Sequence, residues 1–542
     1  MRLKPHENYI VRNLEKNISI IQAFQDKISE QNVILEAEKI NLLAGTTFDL
    51  HHQIFAILTP ENKAEVMACV AIANKYQIAV YPVSRGLNWG YGLVTSSEHP
   101  GIILDLHKLN KIVNFNEKLA YVVIEPGVSF QQLAEFLVSN NSELMLSATG
   151  SSPETSIIGN TLERGIGKGS HGDRAQFICG LEIILPTGEC IQTSFGRFDG
   201  AAATHVNRAG LGPCVDGLFL QSNLGIVTQM TIWLKPIPAY LQVITFSINN
   251  ESRLMPLLNQ LQHIALHGYA ETGYTIFNDY KMLMAATQYP WEETQGQTPI
   301  HSDIKDALTK ELSLPAWKGQ LQIRSPSIEI GNMQRLLLMS QLNDYVDEVT
   351  HLTSSKEQSI ALLKQYFAKK SQTSYDKILL RHLGISCGTN ISSVYWRMKT
   401  LPPQTMQPAI DGCGLLWVCP VVPFTADHIL NALTIVTKTM LHYCLEPAIS
   451  ISVISDKCVV LVISIVFDKT IQIENNNANH CKDNLFSALA VHGYHPYRVP
   501  ANVMHLSTGD NPHYSQLLGK IKTIMDPNNI LAPGRYITID PS

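Results

Sequence analysis

Two glycine-rich segments of this chain could bind a ligand through their main-chain groups. The first, YPVSRGLNWGYG, spans residues 81–92, and the second, ATGSSPETSIIGNTLERGIGKGSHGD, spans residues 148–173. Glycine lacks a Cβ, so nearby N–H groups remain open to a close ligand, and clustered N–H groups hold anions such as a pyrophosphate. Two ordinary turn-rich loops would have the same composition, so the spacing alone leaves both interpretations open.

Neither segment matches a standard nucleotide-binding motif. No GK[ST] follows, and neither contains the GxGxxG pattern between a strand and a helix. Within the second segment, His171 could act in catalysis or could be a solvated or capping residue. Glu154 could act as a base or could cap a nearby helix. No Ser-His-Asp or paired-carboxylate arrangement has the context that hydrolysis needs.

The ten cysteines are scattered without CxxC or CxxxC spacing. This pattern predicts neither a zinc site nor a disulfide framework, and it favours a cytoplasmic location. Three of them lie in apolar runs and are expected in the core, namely Cys179, Cys413 and Cys419.

Both helices and strands must position these two glycine-rich segments. Periodicity predicts a helix over 62–76, then a strand over 77–84 that enters the first glycine-rich segment. Further signals predict a strand before the turn at Pro126, a helix from about Ser129, a hairpin over 180–191 and a helix over 513–525. Residues 240–490 read as mixed helix and strand, with polar loops at 292–303 and 474–480.

Length and charge exclude several classes of protein. A chain of 542 residues with 45% hydrophobic residues is expected to form two or three globular domains. The net charge is −5 and no basic run stands out, so we expect neither nucleic acid nor a membrane as a partner. Residues 1–17 lack the apolar stretch of a secretory leader, and the apolar run 458–467 is too short to cross a bilayer.

Eight sequence blocks, in order from about residue 50 to 536, resemble the flavoprotein family of vanillyl-alcohol oxidase and p-cresol methylhydroxylase. They are PVSRGLNWGYG, VVIEPGVSFQQL, GNTLERGIG, GDRAQFICGLEIILPTGE, GPCVDGLFLQSNLGIVTQMTIWLKP, GCGLLWVCPVVPFT, PYRV and DPNNILAPGR. The resemblance implies FAD and an α+β fold. It implies an FAD-binding domain made of residues 1–237 and 491–542, with a mixed cap (substrate) domain over 238–490.

The resemblance also implies which residues meet FAD. The first glycine-rich segment would lie against the pyrophosphate, and the second would run along the flavin. A third block, SNLGIVT, would contact the far end of the cofactor. The implied contacts are Pro82, Ser84, Arg85, Gly86, Leu87, Asn88, Gly90, Tyr91, Gly150, Ser151, Ser152, Ile158, Gly159, Asn160, Gly165, Gly225, Ile226 and Arg535.

Members that oxidise 4-alkylphenols hold the phenol oxygen with two tyrosines and an arginine, which match Tyr91, Tyr497 and Arg498. A phenolate pushes electron density towards the para position and so eases departure of a hydride from the benzylic carbon. A guanidinium and two phenolic donors would lower the pKa of the bound phenol. The alternative for Tyr497 and Arg498 is a surface strand with a solvent-directed arginine.

The chain departs from the family at the positions that attach FAD covalently. The linking histidine of the oxidases falls at Leu415, and the linking tyrosine of the methylhydroxylase falls near Gln407. We therefore expect FAD to bind without a covalent bond. The acidic residue near the flavin in vanillyl-alcohol oxidase falls at Gly150 or Ser151.

The chain also departs from the family at positions that surround the substrate. A histidine and two acids of the methylhydroxylase pocket fall at Val460, Ile451 and Ser464, within a nearly apolar pair of strands. This predicts a less polar pocket and a larger substrate than a simple cresol.

The sequence thus predicts an FAD-dependent oxidoreductase that removes a hydride from an aromatic, phenolic small molecule. Electrons would pass to O₂ or a redox partner protein, and the chain would form a homodimer or higher homo-oligomer. Two alternatives remain open, namely oxidation of an alcohol or amine centre and a catalytically silent flavin-fold binding protein.

Overall fold

The chain combines helices with four β-sheets in the residues that the computed structural model describes, which are 18–50, 52–93, 100–388 and 391–539. This mixture is the α+β class that the sequence predicts. Residues 1–17, where the sequence predicts no secretory leader, lie outside the described part. Within that part, no helix has both the length and the apolar character needed to cross a bilayer.

The described residues up to 237 form two sheets and a small two-stranded ribbon. A four-stranded sheet, here the first sheet, has the order β1-β2-β4-β3, and its strands β2, β4 and β3 run parallel. A five-stranded antiparallel sheet has the order β5-β6-β10-β8-β9, and β11 pairs with β7. The strands are β1 (Val33–Ile34), β2 (Ile54–Leu58), β3 (Ala79–Val83), β4 (Gly101–Asp105), β5 (Ile112–Asn116), β6 (Tyr121–Ile124), β7 (Leu144–Met145), β8 (Ile178–Ile184), β9 (Cys190–Gln192), β10 (Ile226–Trp233) and β11 (Lys235–Pro236).

Side-chain caps mark the start of two helices of this part that the sequence predicts. The Asn62 side chain accepts from the Glu65 N–H at 3.1 Å, and Ser129 Oγ accepts from the Gln132 N–H at 3.1 Å. Such bonds satisfy N–H groups that a helix start leaves open. The predicted helices near 62–76 and from Ser129 are confirmed. The helices are α1 (Ala37–Ala44), α2 (Lys63–Tyr76), α3 (Phe130–Ser139) and α4 (Ile157–Leu162).

The end of the chain returns to the first sheet. The Val80 N–H donates to the Ile530 carbonyl at 2.7 Å, and the Ala532 N–H donates to the Val80 carbonyl at 2.9 Å. The C-terminal segment therefore extends the sheet on which the first glycine-rich segment stands. The predicted helix near its start is confirmed as Pro512–Met525. The domain boundaries at 237 and 490 stay predictions.

Residues 240–468 form an eight-stranded antiparallel sheet, here the cap sheet. Its order is β15-β12-β14-β13-β18-β19-β16, and β17 pairs with β19. Its strands are β12 (Tyr240–Ile248), β13 (Tyr274–Asn278), β14 (Trp317–Ser325), β15 (Glu348–Ser355), β16 (Cys413–Val418), β17 (Val421–Pro423), β18 (Ala448–Val453) and β19 (Cys458–Asp468). The associated helices are α5 (Leu254–Leu266), α6 (Asp279–Ala286), α7 (Ser302–Glu311), α8 (Ile328–Leu342), α9 (Lys356–Phe367), α10 (Ser374–His382), α11 (Ala426–His442) and α12 (Gln472–Val491), and the C-terminal helix is α13 (Pro512–Met525).

The predicted polar loop at 474–480 is wrong, because this stretch opens α12. Its asparagines hide an apolar stripe at helical spacing, and Ala478, Cys481, Leu485 and Leu489 are all buried. The stripe packs in the same cluster as α11 and β19. Tertiary packing of one helix face outweighs the low helix propensity of asparagine.

The second glycine-rich segment touches the cap sheet through bare backbone. The Gly169 N–H donates to the Gly273 carbonyl at 2.8 Å. Gly273 has a φ of +81°, and a Cβ on it would lie 2.1 Å from the Gly169 oxygen. Only glycine permits this approach.

Gly273→Ala tests this contact, with Gly268→Ala as its matched control. Both glycines have left-handed φ, but nothing lies within 4 Å of a Cβ on Gly268. Gly268→Ala should lower the free energy of unfolding by about 1–2 kcal/mol through backbone strain alone. Gly273→Ala should cost about 1–3 kcal/mol more through overlap with Gly169. Urea denaturation measures both, and equal losses in the two variants would contradict a close contact at Gly273.

Candidate active site

A cavity of about 450 Å³ opens where the two glycine-rich segments meet the cap sheet. The first sheet supplies one wall through residues 81–89, and the second segment supplies another through residues 148–168. The cap sheet closes the cavity with side chains from four neighbouring strands, including Thr275, Phe277, Leu415, Trp417, Ser450, Ser452 and Val462. One cavity therefore joins elements from distant parts of the chain.

Most of the predicted cofactor-binding residues line this cavity. Those in its wall are Pro82, Ser84, Arg85, Gly86, Leu87, Asn88, Tyr91, Gly150, Ser151, Ile158, Gly159, Asn160, Gly165, Gly225, Ile226 and Arg535. Gly90 and Ser152 are not in the wall. Gly90 faces Trp417, whose ring would lie 2.2 Å from a Cβ there, and Ser152 caps a turn by accepting from the Glu154 N–H.

The first segment offers an open set of backbone donors. The N–H groups of residues 85–89 make no hydrogen bond to the described part of the chain. Gly86 has a φ of +72°, which permits the turn. Across the cavity, a Cβ on Gly159 would lie 2.5 Å from Ser84 Oγ, so the absence of a side chain keeps the space open. These features fit the pyrophosphate of a dinucleotide.

Arg85 is not a free phosphate ligand. Its guanidinium lies 2.6 Å from the Glu154 carboxylate and donates to the Gly127 carbonyl at 3.2 Å. Glu154 thus ties the two glycine-rich segments together instead of acting as a helix cap or an unpaired base. Neutral N–H groups supply most of the donors on this wall.

Tyr91, Tyr497 and Arg498 meet on one side of the cavity. The Arg498 guanidinium lies over the Tyr91 ring, 4.0 Å from its centroid, and donates to Asn88 Oδ1 at 2.7 Å. The Tyr497 N–H donates to the Cys419 carbonyl at 3.1 Å. Arg498 is only 7% exposed, which excludes the surface-strand alternative.

Burial fixes the protonation of this trio. It raises the pKa of Tyr91 well above its usual value, and it raises the pKa of Tyr497 to about 12, with Cys419 adding to both. Both tyrosines therefore keep their protons and act as donors. Burial lowers the pKa of Arg498, but the Glu163 carboxylate and the neighbouring tyrosines together outweigh this effect and raise it overall.

Glu163 is the main residue that sequence reasoning missed. Its carboxylate lies 3.0 Å from Arg498 Nε and 2.5 Å from Arg535 Nη2, and it accepts from the Tyr536 hydroxyl at 2.5 Å. Burial raises the pKa of Glu163, yet the two guanidiniums lower it overall to about 2. The sequence signal that could have identified Glu163 is its position in GNTLERG, inside the second glycine-rich segment.

Cys419 is a second addition to the site. It is buried as the sequence predicts for Cys179, Cys413 and Cys419, but it also lines the cavity. The Tyr91 hydroxyl donates to its sulfur at 3.3 Å. Burial raises the pKa of Cys419 to about 11, so it stays a thiol.

The cap wall is less apolar than expected, because Thr275, Ser450 and Ser452 line it beside Phe277, Leu415, Trp417 and Val462. Ile451 faces the other side of the sheet, where it joins the main hydrophobic cluster, and Val460 lies outside the cavity wall. The alternate residues Ser450 and Ser452 face the cavity. Strand side chains alternate between faces, so a shift of one position exchanges an apolar wall for a hydroxyl-bearing one.

His171 is neither in the cavity wall nor a solvated cap. Its ring stacks on Phe177 at a centroid distance of 3.6 Å. Burial, Lys235 and Arg324 lower its pKa to about 4, so the ring is neutral near pH 7.

Comparison with known proteins agrees with this geometry. The family profile described as "FAD binding domain" matches residues 55–194. The chain is 25% identical over 525 residues to the 4-cresol dehydrogenase [hydroxylating] flavoprotein subunit of Pseudomonas putida, covering 95% of this chain and 94% of that protein. It is 36% identical over 521 residues to 1'-carboxy-chondrochloren decarboxylase of Chondromyces crocatus, covering 95% and 96%. The chain belongs to the vanillyl-alcohol oxidase and p-cresol methylhydroxylase family of FAD flavoproteins.

A solved structure of a member of this flavoprotein family has the same fold. P-cresol methylhydroxylase with substrate bound superimposes with a TM-score of 0.86 at 22% identity, covering 97% of this chain and 98% of that one. The predicted fold class and family are thereby confirmed, and FAD is the cofactor that the open N–H groups and glycines of the cavity fit.

Glu163→Gln tests the buried charge cluster, with Glu154→Gln as its matched control. Both glutamates pair with cavity arginines, but the Glu154 side chain is 49% exposed and that of Glu163 is 19% exposed. Glu163→Gln should lower the free energy of unfolding by about 3–5 kcal/mol, because it leaves two buried guanidiniums without a carboxylate. Glu154→Gln should cost less than about 1 kcal/mol.

The pH dependence gives the second measurement. The pKa of Glu163 falls on folding from 4.5 to about 2, so its contribution is complete above the unfolded value and is lost as pH falls towards 2. Wild type should lose stability over this window, and Glu163→Gln should lack that part of the loss. A Glu163→Gln variant as stable as Glu154→Gln would contradict the cluster.

Proposed function

We propose that the protein removes a hydride from the benzylic carbon of a phenolic small molecule. The observation that carries this proposal is the meeting of Tyr91, Tyr497 and Arg498 on one cavity wall, with neutral hydroxyls beside a permanent positive charge. Such a wall suits a phenolate oxygen, since it offers two neutral hydroxyl donors beside a cation.

Each residue has a distinct part in this chemistry. Arg498 stabilises the oxygen as an anion, and Tyr91 and Tyr497 donate to it. Glu163 positions Arg498 through their ion pair, so the guanidinium keeps its orientation when water is excluded from the cavity. Bound FAD would supply the two-electron acceptor, and O₂ or a redox partner protein would receive the electrons. The backbone N–H groups of residues 85–89, with Gly159, Gly225 and Arg535, would hold the cofactor.

We expect FAD to be held without a covalent bond. Leu415 lies in the cavity wall and has no nucleophile, and Gln407 lies outside that wall. Acid precipitation should therefore leave a colourless pellet and a yellow supernatant. Flavin fluorescence that stays with the denatured band on a gel would contradict this.

Anaerobic bleaching tests the proposed reaction. 4-Ethylphenol should reduce the bound flavin under argon, and Arg498→Lys should slow this reduction about 100-fold, the usual effect of losing one oriented donor to a developing charge. The positive charge remains, so the variant should stay folded and yellow. Arg253→Lys, at an arginine paired with Asp347 away from the cavity, is the control and should bleach at the wild-type rate.

The outcomes separate the alternatives. Equal bleaching by wild type and Arg498→Lys would mean that the phenolate wall is not used. Bleaching by alcohols or amines but not by 4-ethylphenol would assign the other donor class. A purified protein without a flavin spectrum would indicate a silent fold.

The similarity to a decarboxylase favours a second candidate, oxidative decarboxylation. If the carbon beside the benzylic carbon carries a carboxylate, hydride loss gives a quinone methide. The bond to the carboxylate then breaks, and its electron pair forms a C=C bond and restores the phenolate as CO₂ leaves. Under this candidate 3-(4-hydroxyphenyl)propanoate yields 4-vinylphenol, whereas an oxidase without this step yields no CO₂.

A further inference from the structure

One cation of the cavity wall makes no hydrogen bond or ion pair within the part of the chain that the structure describes. Five cationic side chains line the cavity, Arg85, Lys168, Lys281, Arg498 and Arg535. Three of these are arginines paired with Glu154 or Glu163, and Lys281 donates to Ser464 Oγ at 2.6 Å. Lys168 makes no hydrogen bond or ion pair with any residue in the described ranges.

A second cation stands beside Lys168. Arg381, near the end of α10, has a buried Nε atom without a hydrogen-bond partner. Burial and the nearby Arg381 charge together lower the pKa of Lys168 to about 7, and Cys387 opposes them. Burial raises the pKa of the Cys387 thiol, so it stays neutral. No carboxylate of the described chain offsets the two charges.

This arrangement is costly without an anion. A charge removed from water destabilises the fold unless it is paired, and two adjacent like charges add repulsion. The three arginines have carboxylate partners and Lys281 has the Ser464 hydroxyl. Lys168 has neither, so it is the cavity cation best placed to meet an anion carried by a ligand.

Lys168 and Arg498 lie at separate parts of the cavity. Arg498 lies over the Tyr91 ring and donates to Asn88 in the first glycine-rich segment. Lys168 lies in the second segment beside Gly169, whose N–H donates to the Gly273 carbonyl next to the cap sheet. A ligand that meets both cations must therefore carry two separated anionic groups, a phenolate at one end and a second anion at the other.

We infer that Lys168 binds a carboxylate on the para side chain of the phenolic substrate. The inference rests on the proposed phenol oxidation. The substrate would then be a hydroxyphenyl carboxylic acid. Its carboxylate would contact Lys168 while its phenol oxygen contacts Arg498.

Two probes that differ only in the carboxylate test this assignment. They are 3-(4-hydroxyphenyl)propanoate and 4-ethylphenol, titrated calorimetrically into the dithionite-reduced holoprotein under argon, where no hydride can be accepted. The carboxylate should bind at least about 10-fold more tightly, in keeping with a charge-assisted hydrogen bond. Lys168→Met should abolish this preference while the dissociation constant for 4-ethylphenol changes less than about twofold. Lys168→Arg should keep most of it.

Other outcomes overturn the inference in distinguishable ways. If 4-ethylphenol binds and bleaches the flavin but wild type shows no carboxylate preference, only the Lys168 assignment fails. If neither probe binds, the phenol function fails with it. A preference lost in Lys281→Met and kept in Lys168→Met would move the carboxylate to Lys281. Loss of FAD in Lys168→Met would make Lys168 a cofactor contact, and inorganic phosphate binding that depends on Lys168 would indicate a site for free anions.

Discussion

The site depends on one largely buried carboxylate, Glu163, held between two guanidiniums. Arg498 comes from the segment that follows the cap sheet, and Arg535 comes from the C-terminal turn. Without the carboxylate, two positive charges would share a dry cavity wall at a prohibitive cost. With it, each arginine keeps its charge and a fixed direction, and one arginine faces the Tyr91 ring. The substrate wall and the cofactor wall are thus parts of one electrostatic unit.

The same constraint explains why the two glycine-rich segments have different roles. In the first, open N–H groups serve a ligand, and its single cation is neutralised by Glu154. In the second, some glycines line the cavity, whereas Gly169 permits a backbone contact with Gly273. Similar composition therefore supports a binding surface in the first segment, and both a binding surface and an interface in the second.

Local sequence predicted much of the molecule, but it could not predict interactions that depend on distant partners. The helix at Lys63–Tyr76 could be predicted because its cap and its apolar periodicity lie in one stretch of sequence. The glycine-rich segments could be recognised from residue type alone. Glu163 gains its role from Arg535, 372 residues away in the sequence. The face of β18 that meets the cavity depends on strand pairing, so Ser450 and Ser452 could not be distinguished from Ile451 by composition. Helix α12 was missed because its run of asparagines indicates a loop, whereas its buried face packs against elements that are distant in the sequence.

The return of the C-terminal segment to Val80 has a consequence for biosynthesis. Residues 530–532 form hydrogen bonds with both the N–H and the carbonyl of Val80, in the strand that leads into the first glycine-rich segment. Because a ribosome makes the chain from its N-terminus, that strand waits for its neighbour until about 450 further residues have been translated. The pocket for the dinucleotide is thus completed only once residues 530–532 have left the ribosome, and cofactor loading follows that step.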